Sequence, residues 1–220
     1  MFLLIKDMLK GRELRKLLDL STKVSFVDGR ATNPDSQVKK NLQSEFGTDH
    51  SKEISAIVTK AAFRSREFLD FTFPKIMAAP LMGKYEPGMH YGYHADNAML
   101  IFNPPIRSDV SMTLFLSDPE SYDGGELQMK MGDGDLRFKG QPGEAILYPS
   151  TMAHQVRPVT GGVRLVCITF IQSYIKDQQK RDILYNLNEL YALEAEGMDQ
   201  ENRTRLDIAR NNLRRMWSET

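Results

Sequence analysis

The sequence predicts a mainly β fold with flanking helices (α+β), and three observations predict it. Between residues 71 and 174, short apolar runs alternate with clusters of Gly, Pro, Asp and Asn, the pattern of many short strands in a sandwich or barrel. On both sides of that region the apolar period is helical. The chain has 220 residues, 41% of them hydrophobic and 26% charged, which suits a single core with helical additions.

In chain order, residues 2–5 read as a first strand. Residues 11–20 place Leu14, Leu17, Leu18 and Leu20 near helical spacing and read as a short helix. Residues 29–47 are polar with few apolar anchors and are expected to be a long loop. Residues 51–69 read as one helix, with Ile54, Ile57, Val58, Ala61 and Ala62 on one face and Ser51 as its cap. Strands are expected over 76–85, 110–117, 126–131, 135–139, 144–148, 154–157 and 163–174. The turns between them fall at Asp123-Gly124-Gly125, Gly132-Asp133-Gly134, Gln141-Pro142-Gly143 and Thr160-Gly161-Gly162. Beyond Tyr174 two helices are expected. One carries the stripe Ile183, Leu187, Leu190 and Leu193, the other Leu206, Ala209, Leu213 and Trp217. Arg203, Arg205, Arg210, Arg214 and Arg215 would form the solvated face of the second helix, leaving its apolar face for the core or for a second subunit in a homodimer. The plan divides into an N-terminal support region (1–75), a β core (76–175) and a C-terminal helical extension (176–220).

Lys+Arg and Asp+Glu number 29 each. That balance gives no electrostatic reason to expect nucleic acid or an acidic membrane as partner. The single cysteine, Cys167 in the apolar run VRLVCITF, can form no intramolecular disulfide. It reads as a buried small hydrophobe in a reducing compartment. The start MFLLIKDMLKGRELRK is interrupted by Lys6 and lacks both a basic leader and a small-residue cleavage site, so it reads as a strand and not a signal peptide. No run approaches membrane-spanning length, and the expected location is cytoplasmic.

The chemistry concentrates in HADNAML and PSTMAHQV. A period of two would put His94 and Asp96 on one face of an extended strand, with His154 arriving from a different strand. Two imidazoles and one carboxylate can hold one face of an octahedral metal and leave the opposite face open, a ligand set of non-haem Fe(II) sites. A lone His-x-Asp is common, and each histidine by itself reads better as an ordinary polar residue at a sheet end. The chain has only four histidines, however, and two fall in this pattern. His50 reads as solvent-exposed, and His90 as a wall or surface residue, because Pro87, Gly88 and Gly92 argue against a helical His90/His94 pair. Catalytic zinc is the competing metal; the His-x-Asp spacing on a strand, in place of a helix-borne His pair, favours iron.

Arg164 interrupts an otherwise apolar run over 163–171, the signature of a strand buried on both faces. A buried guanidinium is costly unless it meets a carboxylate. Asp118 or Glu126 could supply one internally; a keto-acid cosubstrate could supply it from outside. A hairpin through Thr160-Gly161-Gly162 would put His154 and Arg164 on neighbouring strands.

These residues carry a family resemblance. YEPGMHYGYHADN is similar to the tyrosine-glycine-tyrosine-His-x-Asp pattern of prolyl-4-hydroxylase-like Fe(II)/2-oxoglutarate dioxygenases. VDGRATNPDSQVKKNLQ, TLFLSDPESYDGGELQM, LYPSTMAHQVRPVTGGVR and FIQSYIKD resemble the bacterial PKHD-type hydroxylases. The agreement runs in order from Val27 to the C-terminal helices. It implies a double-stranded β-helix (jelly-roll) core with the N- and C-terminal helices packed on it, Fe(II) as metal, 2-oxoglutarate and O2 as cosubstrates, and ascorbate as reductant. It implies His94, Asp96 and His154 as metal ligands and Arg164, with Tyr85 beside it, as the 2-oxoglutarate site. Because Asp96 is retained, where related halogenases lack the carboxylate, it implies hydroxylation over halogenation.

Asn97, Met99 and Phe102 follow the first two candidate ligands directly and are the substrate-side candidates. Residues 97–107 read equally as a lid or as a plain packed loop. Arg30, Lys39, Lys40 and Asn41 in the early loop could add polar contacts to a substrate, but the expectation is a solvated loop. The substrate, a small molecule or a protein side chain, is left open. A jelly-roll module that binds metal or ligand without turnover, or that senses iron or oxygen, is the alternative; it has no need of an open triad beside a carboxylate-reading arginine.

Overall fold

The structure, a computed structural model, describes residues 1–219. In chain order its strands are β1 (Leu3–Ile5), β2 (Phe26–Asp28), β3 (Lys39–Lys40), β4 (Leu42–Ser44), β5 (Pro74–Met77), β6 (Leu81–Tyr85), β7 (His90–His94), β8 (Met99–Leu100) and β9 (Ile106–Arg107). They continue as β10 (Val110–Phe115), β11 (Tyr122–Gly124), β12 (Leu127–Met131), β13 (Gly134–Phe138), β14 (Ala145–Pro149), β15 (His154–Val156), β16 (Val159–Gly162) and β17 (Arg164–Ser173). The helices are α1 (Gly11–Ser21), α2 (Asp49–Arg64), α3 (Arg66–Thr72), α4 (Gln178–Glu194) and α5 (Gln200–Trp217).

Two antiparallel sheets pack face to face. The larger runs β1-β14-β10-β17-β6-β4-β2, with β5 also on β17; the smaller runs β13-β12-β15-β7-β3. β10 is buried along its whole length because it is covered on both sides. Val110, Met112 and Leu114 join Leu17 and Leu20 of α1, Ile54 and Val58 of α2, and Phe68 and Phe71 of α3 in the helix-side core. Phe115 joins Ile146, Val166, Leu127, Met129 and Val156 between the sheets. Each fully buried aliphatic side chain contributes about 1.5–3 kcal/mol. The helices therefore clamp one face of the large sheet, and its other face is left to build a site with the small sheet.

Several elements depart from the sequence reading. The helix expected over 51–69 starts at Asp49, with the Thr48 hydroxyl accepting from the Ser51 N–H, and breaks at Ser65. There the serine hydroxyl accepts from the Phe68 N–H and starts α3. A serine competing for backbone hydrogen bonds favours such a restart, and the new axis turns Phe68 and Phe71 inward. The expected loop 29–47 contains β3 and β4, strands too short and polar to show an alternation; they exist through pairing with β7, β2 and β6. Residues 76–85 are two strands, β5 and β6, both docked on β17.

The C-terminal stripe is also different. Ile183, Leu190 and Leu193 are 47%, 42% and 75% exposed, while Arg181, Leu184, Tyr185 and Asn188 are buried. The Arg181 guanidinium donates to the carbonyls of Ile175 and Lys176, each at 2.8 Å, and Tyr185 meets Phe71 edge-on at 5.3 Å. These polar and aromatic anchors rotate α4 away from its leucine stripe. Arg210 of α5 leaves the expected solvated face. It donates twice to Asn188 Oδ1 and lies 4.1 Å from the Tyr191 ring centroid.

Glu13 ties α1 to α2. It accepts from the Lys10 N–H at 2.8 Å and from both Arg64 Nη atoms at 2.6 and 2.8 Å. The Arg64 hydrogen bond holds its carboxyl down at about 2, against an ordinary 4.5. A depressed folded-state value gives stability that is complete above the ordinary value and lost as pH falls through the folded one. Glu13→Ala is expected to lower stability by about 1 kcal/mol at pH 7, the pair being partly solvated. The difference from wild type in thermal unfolding should close as pH approaches 2.

Candidate functional site

His94 and His154 are cross-strand partners: β7 and β15 pair at that position. The next pair is Tyr91 with Val156, so two residues of β7, Gly92 and Tyr93, oppose the single Gln155 of β15. This bulge breaks the period of two and brings the Tyr91 ring onto the His94 ring, with centroids 3.5 Å apart and planes at 12°. Asp96 lies just beyond the end of β7, fixed by its backbone N–H to the Ser150 carbonyl at 3.1 Å. The His94 and Asp96 side chains do converge, but through a bulge and a tethered strand end in place of simple alternation.

Donor atoms of His94, Asp96 and His154 all lie within 4.8 Å of one another, the one such cluster among the described residues. His94 Nε2 is 3.7 Å from one Asp96 oxygen and His154 Nε2 is 3.8 Å from the other. The Nδ1 atoms face the carbonyls of Gly92 and Met152 at 2.8 and 2.9 Å. A proton on Nδ1 satisfies those contacts and leaves both Nε2 lone pairs aimed at a common point, the preparation metal-binding histidines usually show. Burial first, and His154 second, push His94 down to about 4, so its ring is neutral at neutral pH. The Ser111 hydroxyl donates to Asp96 Oδ2 at 2.5 Å and continues through the Ser150 hydroxyl to Ser108, each step 2.7 Å. This chain of hydroxyls fixes the carboxylate without consuming its second oxygen.

Arg164 stands on the opposite sheet. The hairpin expected to join it to His154 does not exist: Thr160, Gly161 and Gly162 belong to β16, which pairs with β11, and β17 pairs with β10, β6 and β5. His154 and Arg164 face each other across the sandwich and do not sit side by side. Neither proposed internal partner reaches the arginine. Asp118 accepts from the Glu120 N–H, and a Glu126 oxygen lies 3.9 Å from Arg157 Nε. Arg164 is 1% exposed, its Cζ lies 4.9 Å from the centroid of Tyr85, its pair across β6 and β17, and its Nε and Nη1 have no hydrogen-bond partner. A buried fork with unused N–H groups matches the geometry of a carboxylate. Burial pushes the Tyr85 phenol up to about 12, so at neutral pH it remains a hydroxyl able to donate.

Gly125 forms the floor under Arg164. Its φ is +67°, and a Cβ there would stand 3.0 Å from Arg164 Cδ and 2.9 Å from a Val159 methyl. Gly125→Ala is expected to be strained in backbone and to push the guanidinium out of line. Binding of an acid at Arg164, measured by calorimetry, should weaken about 10-fold, in line with one misplaced hydrogen bond of roughly 1.5 kcal/mol to a charged group.

The triad and Arg164 line one cavity of about 530 Å³, within the range that holds a drug-sized ligand. Residues 97–107 form a small hairpin at its mouth, β8 pairing with β9. Asn97, Met99 and Phe102 all line the cavity, with Phe102 meeting Phe46 edge-on at 6.4 Å. Among the lining residues not expected at the site are Tyr91, Ser111 and Tyr148, and Lys39 was expected in a solvated loop. Tyr91 is visible only as an aromatic three positions before His94. Lys39, expected in solvent, is buried, because β3 pairs with β7. His90 does not line the cavity.

Comparison with known proteins agrees with this geometry. Residues 81–172 match the model of the 2OG-Fe(II) oxygenase superfamily. The chain is 46% identical over 218 residues to a PKHD-type hydroxylase of Sphingopyxis alaskensis, covering 99% of both chains. It is 41% identical over 190 residues to one of Crocosphaera subtropica, covering 86% of both. Among solved structures it is similar to a Pseudomonas putida prolyl-4-hydroxylase, with TM-score 0.56, 20% identity, and coverage of 78% of this chain and 92% of that one. It is also similar to a Trichoplax adhaerens prolyl hydroxylase in complex with a hypoxia inducible factor peptide fragment, with TM-score 0.58, 17% identity and coverage of 83% and 86%. The facing sheets are thus the jelly-roll core of a 2-oxoglutarate- and Fe(II)-dependent oxygenase. Within that class, the chain belongs to the PKHD-type hydroxylases.

Proposed function

We propose that His94, Asp96 and His154 hold the Fe(II) and that Arg164, with Tyr85, binds the distal carboxylate of 2-oxoglutarate. The observation that carries this reading is the partnerless guanidinium of Arg164, buried in the same cavity as three converging donors. The donor set suits Fe(II): two imidazoles and a carboxylate on one side, with the opposite side open. In the family's reaction, bound Fe(II) and 2-oxoglutarate activate O2, so that succinate and CO2 leave and one oxygen atom enters a C–H bond of the substrate. The chain's own residues position and shield. Ser111 holds Asp96 in one orientation, Tyr91 and Tyr148 fix the imidazole planes by ring contact, and Arg164 dictates which end of the diacid faces the metal. Leu127, Val156 and Ile168 line the cavity with apolar surface that disfavours stray water.

The test is spectroscopic. Fe(II) and 2-oxoglutarate added without oxygen should give a metal-to-ligand charge-transfer band, and admitting O2 should release succinate. Folded protein with neither signal would sink the reading, and a band without succinate would favour a sensing or binding module.

The finer assignments rest on narrower supports. Ascorbate as the reductant that restores Fe(II) rests on the resemblance. A cytoplasmic setting rests on the single buried thiol Cys167, which burial pushes up to about 12; no described helix is long and apolar enough to cross a membrane. A homodimer would use the exposed Ile183, Leu190 and Leu193 of α4. The division into support (1–75), catalytic core (76–175) and helical extension (176–220) follows the run of elements along the chain. Asn97, Met99 and Phe102 form the substrate side, supported by their place at the cavity mouth.

A further inference from the structure

One side chain in the cavity remains unexplained by a metal and a keto acid. Lys39 is 9% exposed and lines the cavity. Its ammonium donates to the Thr32 hydroxyl at 3.1 Å and lies 5.3 Å from the centroid of the Tyr91 ring, the ring that also stacks on His94. The Thr32 hydroxyl in turn donates to Gln43 Oε1 at 2.8 Å, which leaves its lone pairs to receive the lysine. Thr32 takes one of the three N–H donors of an ammonium. No carboxylate lies within ion-pair distance of Lys39 among the described residues. Two act on it from further away, Asp96 and Asp28. Asp28 is already engaged by Arg30 through three hydrogen bonds from its guanidinium and one from its backbone N–H, and Asp96 is committed to the metal. Burial pushes Lys39 down to about 8, so it is still mostly a cation at neutral pH.

A buried cation without an anion is costly. At a site whose other cation, Arg164, lies on the opposite sheet, it marks a second place for negative charge. The same cavity also carries apolar side chains, among them Met99, Leu100, Phe102 and Phe46. We propose that Lys39 is a specificity-determining residue, and that the substrate is a small carboxylic acid whose carboxylate meets the Lys39 ammonium while its apolar body lies against Met99 and Phe102. The assignment rests on the Fe(II)/2-oxoglutarate reading and extends it from reaction type to substrate class.

The experiment uses full-length protein loaded with Mn(II) in place of Fe(II) and saturated with 2-oxoglutarate, so that nothing turns over. Calorimetry with 4-phenylbutyrate and with its uncharged amide, 4-phenylbutyramide, reads the charge preference directly. Wild type should bind the acid at least about 10-fold tighter than the amide, about 1.4 kcal/mol. Lys39→Met, which removes a buried charge at similar length, should bring the two within twofold, and Lys39→Arg should keep the acid ahead. Binding of 2-oxoglutarate itself should stay within twofold in both variants. Equal binding of acid and amide to wild type would overturn the proposal. So would a preference that survives Lys39→Met, or a 10-fold loss of 2-oxoglutarate affinity in that variant, which would place Lys39 in the cosubstrate site. Wild type that fails to bind 2-oxoglutarate at all would instead overturn the Fe(II)/2-oxoglutarate reading.

Discussion

His94→Ala protein is expected to bind Fe(II) more than about 100-fold less tightly than wild type, beyond the 10- to 100-fold that disturbing an outer-shell partner of a metal ligand costs. Its anaerobic charge-transfer band and its succinate release should both fall to background. The effect is large because three donors converge and no fourth His, Cys, Asp or Glu joins their cluster among the described residues. The variant should fold, since His94 contributes one stacking contact with Tyr91 and one bond to the Gly92 carbonyl. A second consequence concerns the metal-free protein. Burial holds the folded His94 down at about 4, against an ordinary 6.5. Between those values the unfolded chain binds a proton that the folded chain refuses. Stability therefore rises with pH across that window and is lost as pH falls from 6.5 towards 4. In His94→Ala that part of the acid dependence should disappear. Thermal unfolding of both metal-free proteins at pH 7 and pH 5 checks it: an equal loss in the two would show that His94 is not the group that titrates.

The mixed architecture was legible because its signals are local. Alternation and turn residues mark β10, β12, β14 and β17 within a residue or two of their ends, and the spacing of Leu17, Ile54, Val58 and Ala61 marks the faces that α1 and α2 bury. Pairing was not legible, because it is a property of distant segments. Gly161 and Gly162 look like a hairpin turn, yet they pair with Asp123 and Tyr122. That long-range contact moves His154 and Arg164 from neighbouring strands to opposite sheets. Lys39 and Lys40 look like solvated loop until β3 is seen on the edge of β7. The leucine stripe of α4 fails for another reason: Arg181 and Asn188 find carbonyl, carboxylate and guanidinium partners, and a satisfied polar group can displace an apolar one from a small interface. The candidate ligands and Arg164 were visible as residue types. The bulge that turns Tyr91 onto His94, and the serine chain behind Asp96, needed the register.

Arg164→Met should separate a structural arginine from a cosubstrate-binding one. Were Arg164 half of a buried ion pair, removing it would strand a carboxylate and cost about 3–5 kcal/mol of stability. No carboxylate among the described residues pairs with it: Asp118 accepts from the Glu120 N–H, Glu126 lies nearer Arg157, at 3.9 Å, and Nε and Nη1 of Arg164 have no hydrogen-bond partner. The ligand-free variant is therefore expected to be at least as stable as wild type, since a desolvated charge is replaced by an apolar chain of similar reach. Affinity for 2-oxoglutarate should move the other way. Losing one side of a buried, hydrogen-bonded charge pair costs about 2–5 kcal/mol, roughly 30-fold to several thousand-fold in dissociation constant. Fe(II) binding should be unchanged, because no metal donor is touched. Arg164→Lys should recover only part of the loss: a lysine offers a point charge where the fork offers two parallel N–H groups to one carboxylate. Calorimetry with 2-oxoglutarate and thermal unfolding without it, run on the same two variants, give opposite signs on this account. A loss of stability matching the loss of affinity would mean that the guanidinium holds the sandwich together and that the diacid binds elsewhere.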